Sequence, residues 1–314
     1  MNFPLLFHDK FINNYRYVIL GVMKCEKIIT LILIFFTIST SFIQIPISIG
    51  IDTNVSDSIN IFNRKSNFIY ESLPWFFNVH FDFINGRFFI YKKPKIDPPE
   101  EGFPAIILLH GAVQHAWAWF SNSGKWGREQ TKFTESAIDE GYFVIALDSK
   151  RPVWPGPRAW DAFSKELTNN EDLQLLDSIL NWLNNSNLNV NMSNVFCVGF
   201  SSGAFMCSRI GQTFGSKIKG LVIHSGANAD TLEITWKGPF FNLSKPLNIS
   251  ANHPPTLIVH GNKDSMVRIE CGLHLFNDLQ RAGIDSEILI SENGEHIWLN
   301  EFTSNIIDWL DVRR

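Results

Sequence analysis

The stretch VFCVGFSSGAF, Val195 to Phe205, narrows the folds open to this chain more than any other. An apolar run rich in β-formers, Val195 to Val198, leads into Gly199-Phe200-Ser201-Ser202-Gly203, which reads G-x-S-x-G, and a helix-compatible segment, Ser202 to Phe214, follows. A strand that turns into a helix at a single residue lifts that residue's hydroxyl out of the sheet on strained backbone, and the flanking glycines let neighbouring backbone come close. An ordinary Gly/Ser turn has the same five letters. The rest of the chain has to supply the partners a reactive serine needs.

The pattern around this stretch is an alternation of strands and helices. Phe76 to Phe83 and Arg87 to Tyr91 read as a hairpin around Asn85-Gly86. The continuous apolar runs Ala105 to Leu109, Tyr142 to Leu147 and Gly220 to His224, and the shorter Thr256 to Val259 and Ser286 to Ile290, read as strands covered on both faces. Between them lie helical segments at Arg128 to Glu140, Asn170 to Leu183 and Ile269 to Ala282, with a last helix predicted over Trp298 to Val312. Leu173, Leu176, Leu180 and Leu183 recur at helical spacing and form one apolar stripe. The predicted class is α/β, a mostly parallel sheet with helices on both faces, occupying residues 76–314. Residues 225–255 break the rhythm with prolines, asparagines and aromatics and read as an insertion or small lid.

A serine hydroxyl attacks only when a base takes its proton, and the base works best when a third group fixes its tautomer. In a parallel sheet such groups gather at the carboxyl ends of strands. Asp264, in LIVHGNKDSMV, and His296, in ILISENGEHIW, both lie just beyond a predicted strand. With Ser201 they give the chain order Ser, Asp, His. Taken alone, Asp264 would serve equally well as a helix cap. The developing oxyanion needs N–H donors, and the backbone of Ser202 at the helix start is one candidate. The second comes from the loop LLHGAVQHAW, with Ala112 the expected donor, Val113 the alternative, and His110 expected to organise the loop.

The segments LLHGAVQH, VGFSSGAFMCSRI, VIHSGA, IVHGNKDSMV and NGEHIW resemble the α/β-hydrolase superfamily, and within it the esterase branch of polyhydroxybutyrate-depolymerase-like and feruloyl-esterase-like proteins. The resemblance covers residues 103 to 312 and implies ester hydrolysis through an acyl-enzyme on Ser201, with no cofactor. The tryptophans Trp117, Trp154 and Trp298 come from three loops on the expected active side and are expected to wall an apolar substrate pocket. The expected function is that of a serine hydrolase acting on small or oligomeric carboxylic esters. A serine peptidase of the same fold and a catalytically silent surface binding module are the alternatives.

Composition excludes other classes. A net charge of −4 gives no basic face for nucleic acid, and neither C-x-x-C nor H-E-x-x-H occurs, so no metal site is expected. Four cysteines, Cys25, Cys197, Cys207 and Cys271, are too scattered for a disulfide framework and read as buried thiols. Residues 1–50 differ from the rest: Ile28 to Gly50 holds 23 residues without a charge, enough at about 1.5 Å each to cross an apolar core of roughly 30 Å. They read as a signal peptide or an uncleaved signal anchor, with residues 51–75 as a linker. Lys10, Arg16, Lys24 and Lys27 all precede the apolar run, so the remainder is expected outside the cytosol, secreted or held at the membrane. The sequons at Asn54, Asn191, Asn242 and Asn248 are compatible with that route.

Overall fold

The computed structural model describes residues 79–121, 127–150, 158–235, 238–244 and 246–314. The N-terminal apolar segment, the linker and Trp154 lie outside the described residues. Among those described, no helix is long and apolar enough to cross a membrane.

The chain enters the sheet through a hairpin, β1 (Val79–Ile84) and β2 (Arg87–Lys92). Its turn residues Asn85 and Gly86 both have positive φ, 51° and 69°, the twist that a two-residue hairpin loop requires. There follow β3 (Phe103–Leu109), α1 (Gly127–Asp139), β4 (Phe143–Leu147), α2 (Glu171–Asn185), β5 (Val190–Phe200), α3 (Ser202–Phe214) and β6 (Gly220–His224). A small antiparallel pair, β7 (Leu232–Thr235) and β8 (Gly238–Phe241), forms its own two-stranded sheet within the 225–255 insertion. Then come β9 (Thr256–Gly261), α4 (Ile269–Arg281), β10 (Ser286–Ser291) and α5 (Thr303–Asp311). The eight strands of the main sheet lie in the order β1-β2-β4-β3-β5-β6-β9-β10. The first two junctions, β1 with β2 and β2 with β4, are antiparallel; all the others are parallel.

The alternation of side chains along buried strands sorts the core into two layers. Ile106, Leu108, Val144, Phe196 and Val198 pack with Phe133 and Ala137 of α1 and with Ile306 and Leu310 of α5. Ala105, Ile107, Leu109, Ile145 and Cys197 face the other way, onto α2, α3 and α4. All seven residues of β3 are buried, which is why the strand reads as unbroken apolar sequence. The leucine stripe of α2 is buried as its spacing requires, and Asn170 caps that helix by accepting from the N–H groups of Asp172 and Leu173.

Two boundaries differ from the sequence reading by more than two residues. β5 begins at Val190, because the polar stretch Asn191 to Asn194 still runs in the strand before the apolar core is reached. The last helix begins at Thr303, not Trp298, because Trp298 and Leu299 turn inward and the Leu299 N–H donates to Nε2 of His224 at 2.9 Å.

Candidate active site

Ser201 stands between β5 and α3 with φ 53° and ψ −117°, a backbone conformation that a residue with a Cβ rarely adopts. Its N–H donates to the carbonyl of His224 at 2.9 Å, so β6 holds the strained residue from the side. Both glycines of the motif are spatial necessities. A Cβ on Gly199 would sit 2.2 Å from the carbonyl oxygen of Gly203, and one on Gly203 would sit 2.2 Å from that of Leu109. The elbow therefore closes on itself and against the end of β3.

His296 and Asp264 meet Ser201 from the loops after β10 and β9. His296 lies 2.9 Å from the Ser201 Oγ through Nε2 and 2.7 Å from Asp264 Oδ2 through Nδ1. A carboxylate only accepts, so Nδ1 carries the proton and Nε2 presents its lone pair to the serine hydroxyl. The second oxygen of Asp264, Oδ1, accepts from the N–H groups of Met266 and Val267, both at 2.9 Å. Asp264 thus organises its own loop, but it does not cap α4, whose N-cap is Arg268. The two loops are stitched by backbone bonds from Asn262 N–H to the Ser291 carbonyl and from Lys263 N–H to the Gly294 carbonyl, each 2.8 Å. The ring of Phe200 lies 5.3 Å from that of His296 and limits its swing.

The loop after β3 brings backbone donors to the same end of the sheet. The Gly111 N–H is taken by Gln114 Oε1 at 2.8 Å, and the Val113 N–H by the Arg158 carbonyl at 2.8 Å. Between them the Ala112 N–H has no acceptor among the described residues, and neither has the N–H of Ser202. Val113, the alternative donor from sequence, is committed elsewhere. It has φ 59° and is 69 % exposed, so its strained backbone, not its side chain, is what the loop uses.

A serine, an imidazole and a carboxylate in one hydrogen-bonded row, on a strained elbow at the carboxyl ends of the strands, direct attention to one class of fold. A family model described as phospholipase/carboxylesterase matches residues 94–313. The chain belongs to this family of α/β-hydrolases. A poly(3-hydroxyoctanoate) depolymerase of Pseudomonas fluorescens is 26% identical over 238 residues, covering 73% of this chain and 81% of that protein. A probable dipeptidyl-peptidase 5 of Aspergillus niger is 27% identical over 230 residues, 67% of this chain but only 31% of the fungal protein, so this chain spans about a third of that relative's length. Among solved structures, a ferulic acid esterase superposes with a TM-score of 0.55 at 12% identity, over 75% of this chain and 97% of that one, a likeness of fold.

Two of the three tryptophans expected to wall a pocket lie among the described residues of this α/β-hydrolase. Trp298 is 2 % exposed and stacks on His224 with ring centroids 4.3 Å apart, packed with Trp119 and Phe133 in the core below the site. Trp117 packs on Phe81 and Phe88 of the hairpin. At its 2 % exposure Trp298 offers almost no surface to an open cleft. Trp160 has the more direct role. Its Nε1–H donates to the His110 carbonyl at 2.8 Å and its backbone N–H donates to Ser202 Oγ at 3.0 Å, tying the donor loop to the elbow. His110 donates from Nδ1 to the Gly111 carbonyl at 2.7 Å and accepts from the Ser149 N–H at 3.1 Å, which makes it an organiser of the loop.

Asp148, at the end of β4, was passed over in the sequence although its place after a strand marks it. It accepts from the Ala116 N–H and pairs with Arg158, whose carbonyl holds Val113. Burial pushes its carboxyl up, but the Arg158 guanidinium paired with it, together with the His110 ring beside it, outweighs this and holds it below the usual range.

Three of the buried histidines have their protonation disfavoured by the fold. Desolvation lowers His224 well below the usual imidazole range, with nearby His260 and His296 adding to it. Burial also lowers His253 and His260. The unfolded chain then binds protons that the folded one refuses, so stability rises with pH across the gap between folded and unfolded values. The contribution is complete above about pH 6.5 and is lost as pH falls below it. The melting temperature is expected to be flat from pH 8 to 7 and to drop between pH 6.5 and 5, above the range in which Asp148 is protonated. A melting temperature constant from pH 8 to 5 by calorimetry contradicts this account.

Proposed function

We propose that this chain is a serine hydrolase that cleaves small or oligomeric carboxylic esters through an acyl-enzyme on Ser201. The observation that carries the reading is the row Ser201 Oγ, His296 Nε2, His296 Nδ1, Asp264 Oδ2, with spacings of 2.9 and 2.7 Å at its two ends. As Oγ attacks the ester carbonyl carbon, Nε2 takes its proton, and Asp264 stabilises the imidazolium. The carbonyl oxygen becomes an oxyanion and receives the N–H groups of Ala112 and Ser202, donors that have no acceptor among the described residues. Collapse of the tetrahedral intermediate sends the His296 proton to the leaving alkoxide. Water, deprotonated by His296, then releases the acid and regenerates Oγ–H.

The same groups serve amide cleavage, and the dipeptidyl-peptidase relatives support that second reading. An alkoxide leaves more readily than an amine, and the relative covered over most of its length is named as a poly(3-hydroxyoctanoate) depolymerase, which favours the ester. Purified full-length protein, assayed with p-nitrophenyl esters of graded acyl length and with dipeptidyl p-nitroanilides, is expected to show kcat/KM for the preferred ester well above that for any anilide. Anilide turnover equal to ester turnover transfers the chain to the peptidases.

A further inference from the structure

Two of the sulfur atoms in this protein face each other directly under the elbow, and nothing in ester hydrolysis uses them. Cys197 on β5 and Cys207 on α3 have their Sγ atoms 3.1 Å apart, and both side chains are fully buried. Cys197 points to the α3 side of the sheet, as do Val195 and Leu221. The sharp turn at Ser201 folds the helix back over its own strand and brings Cys207 onto it. Packing alone does not demand sulfur at both positions, since the surrounding layer is built from Val, Ile, Leu and Met. A closure of about 1 Å takes the two atoms to the roughly 2.05 Å of a disulfide bond. Cys271 belongs to a different apolar cluster, with Ala162, Phe205 and Val267, and has no sulfur partner among the described residues.

We propose that Cys197 and Cys207 are a disulfide-forming pair, and that their oxidation by an external disulfide ties β5 to α3 on either side of Ser201. One cysteine thiolate attacks the external disulfide and expels a thiol; the second attacks the mixed disulfide and expels the other. Two S–H bonds are lost, one S–S bond forms, and the two electrons reduce the external disulfide to two thiols. Exchange belongs to the folding chain, before the layer between β5 and α3 closes. In the finished fold, burial and the neighbouring Cys197 push the Cys207 thiol up, and full burial of both side chains closes them to reagents and shields a bond once made from reductants. The bond spans a separation of 10 residues that includes the strained serine. It therefore restrains the unfolded chain across the strained elbow.

The test is mass spectrometry on the full-length protein, refolded from denaturant with oxidised glutathione and then unfolded in N-ethylmaleimide. The expected result is a protein lighter by two hydrogens at this pair, with the Cys197 and Cys207 peptides linked and Cys25 and Cys271 alkylated. Its melting temperature is expected to exceed that of the reduced form by about 5–10 °C, from the loop-closure entropy of so short a span. A Cys25→Ser/Cys271→Ala variant removes mispairing as an explanation. Where refolding yields are low, protein expressed in an oxidising compartment and denatured directly in N-ethylmaleimide gives the same readout. Recovery of Cys197 and Cys207 both alkylated from oxidised preparations, or linkage of either to Cys25 or Cys271, overturns the proposal.

Discussion

Ser201→Ala is expected to abolish ester turnover, by about 10⁶ where the three groups act as a unit. It is also expected to abolish labelling by an organophosphonate while the protein stays folded. The fold survives because Ser201 holds its place through its backbone, whose N–H reaches the His224 carbonyl and whose carbonyl receives Ala204 and Phe205, and alanine keeps all of these. Among the described residues the hydroxyl itself bonds only to His296 Nε2. A variant with unchanged melting temperature and lost labelling separates chemistry from stability. Undiminished labelling of Ser201→Ala would falsify the assignment of the nucleophile.

Asp264→Asn is expected to cost on the order of 10⁴ in turnover, through the tautomer of His296. Oδ1 of Asp264 must keep accepting from Met266 and Val267 N–H, which fixes the orientation of an asparagine amide in this place. Its oxygen then faces the loop and its NH₂ faces His296 Nδ1. A donor at that position forces Nδ1 to accept, moves the ring proton to Nε2, and leaves no lone pair for the Ser201 hydroxyl. The loop bonds survive, so stability should change little. His296→Ala and the double variant with Asp264→Asn should be equally inactive, because without His296 there is no imidazole left for Asp264 to orient. Turnover of Asp264→Asn near that of the parent would mean that Asp264 serves its loop alone.

Much of this arrangement can be read from the chain because its signals are local. Continuous apolar runs at β3, β4 and β6 and the leucine stripe of α2 are periodicities that burial on two faces or on one face imposes residue by residue. The order Ser201, Asp264, His296 is legible for the same reason, since each residue follows its own strand and a parallel sheet collects those ends at one edge. Where a boundary failed, at Val190 and at Trp298, local composition was overridden by pairing with β3 or by a bond to His224.

What the sequence by itself determined is the frame: an α/β sheet, a serine on a strand-to-helix elbow, and a histidine and an aspartate at strand ends that meet it. Only the tertiary structure decided which backbone N–H groups stay unpaired beside Ser201. That depends on Gln114 and Arg158 taking the donors on either side of Ala112, and neither contact leaves a periodic trace in the chain. Tertiary structure likewise decided that Trp298 packs under the site while Trp160 braces it, and that Cys197 meets Cys207. The physical reason is the same in each case. A side chain's partner is set by where the folded backbone brings other groups within hydrogen-bonding or packing distance, and residue type alone does not encode that distance.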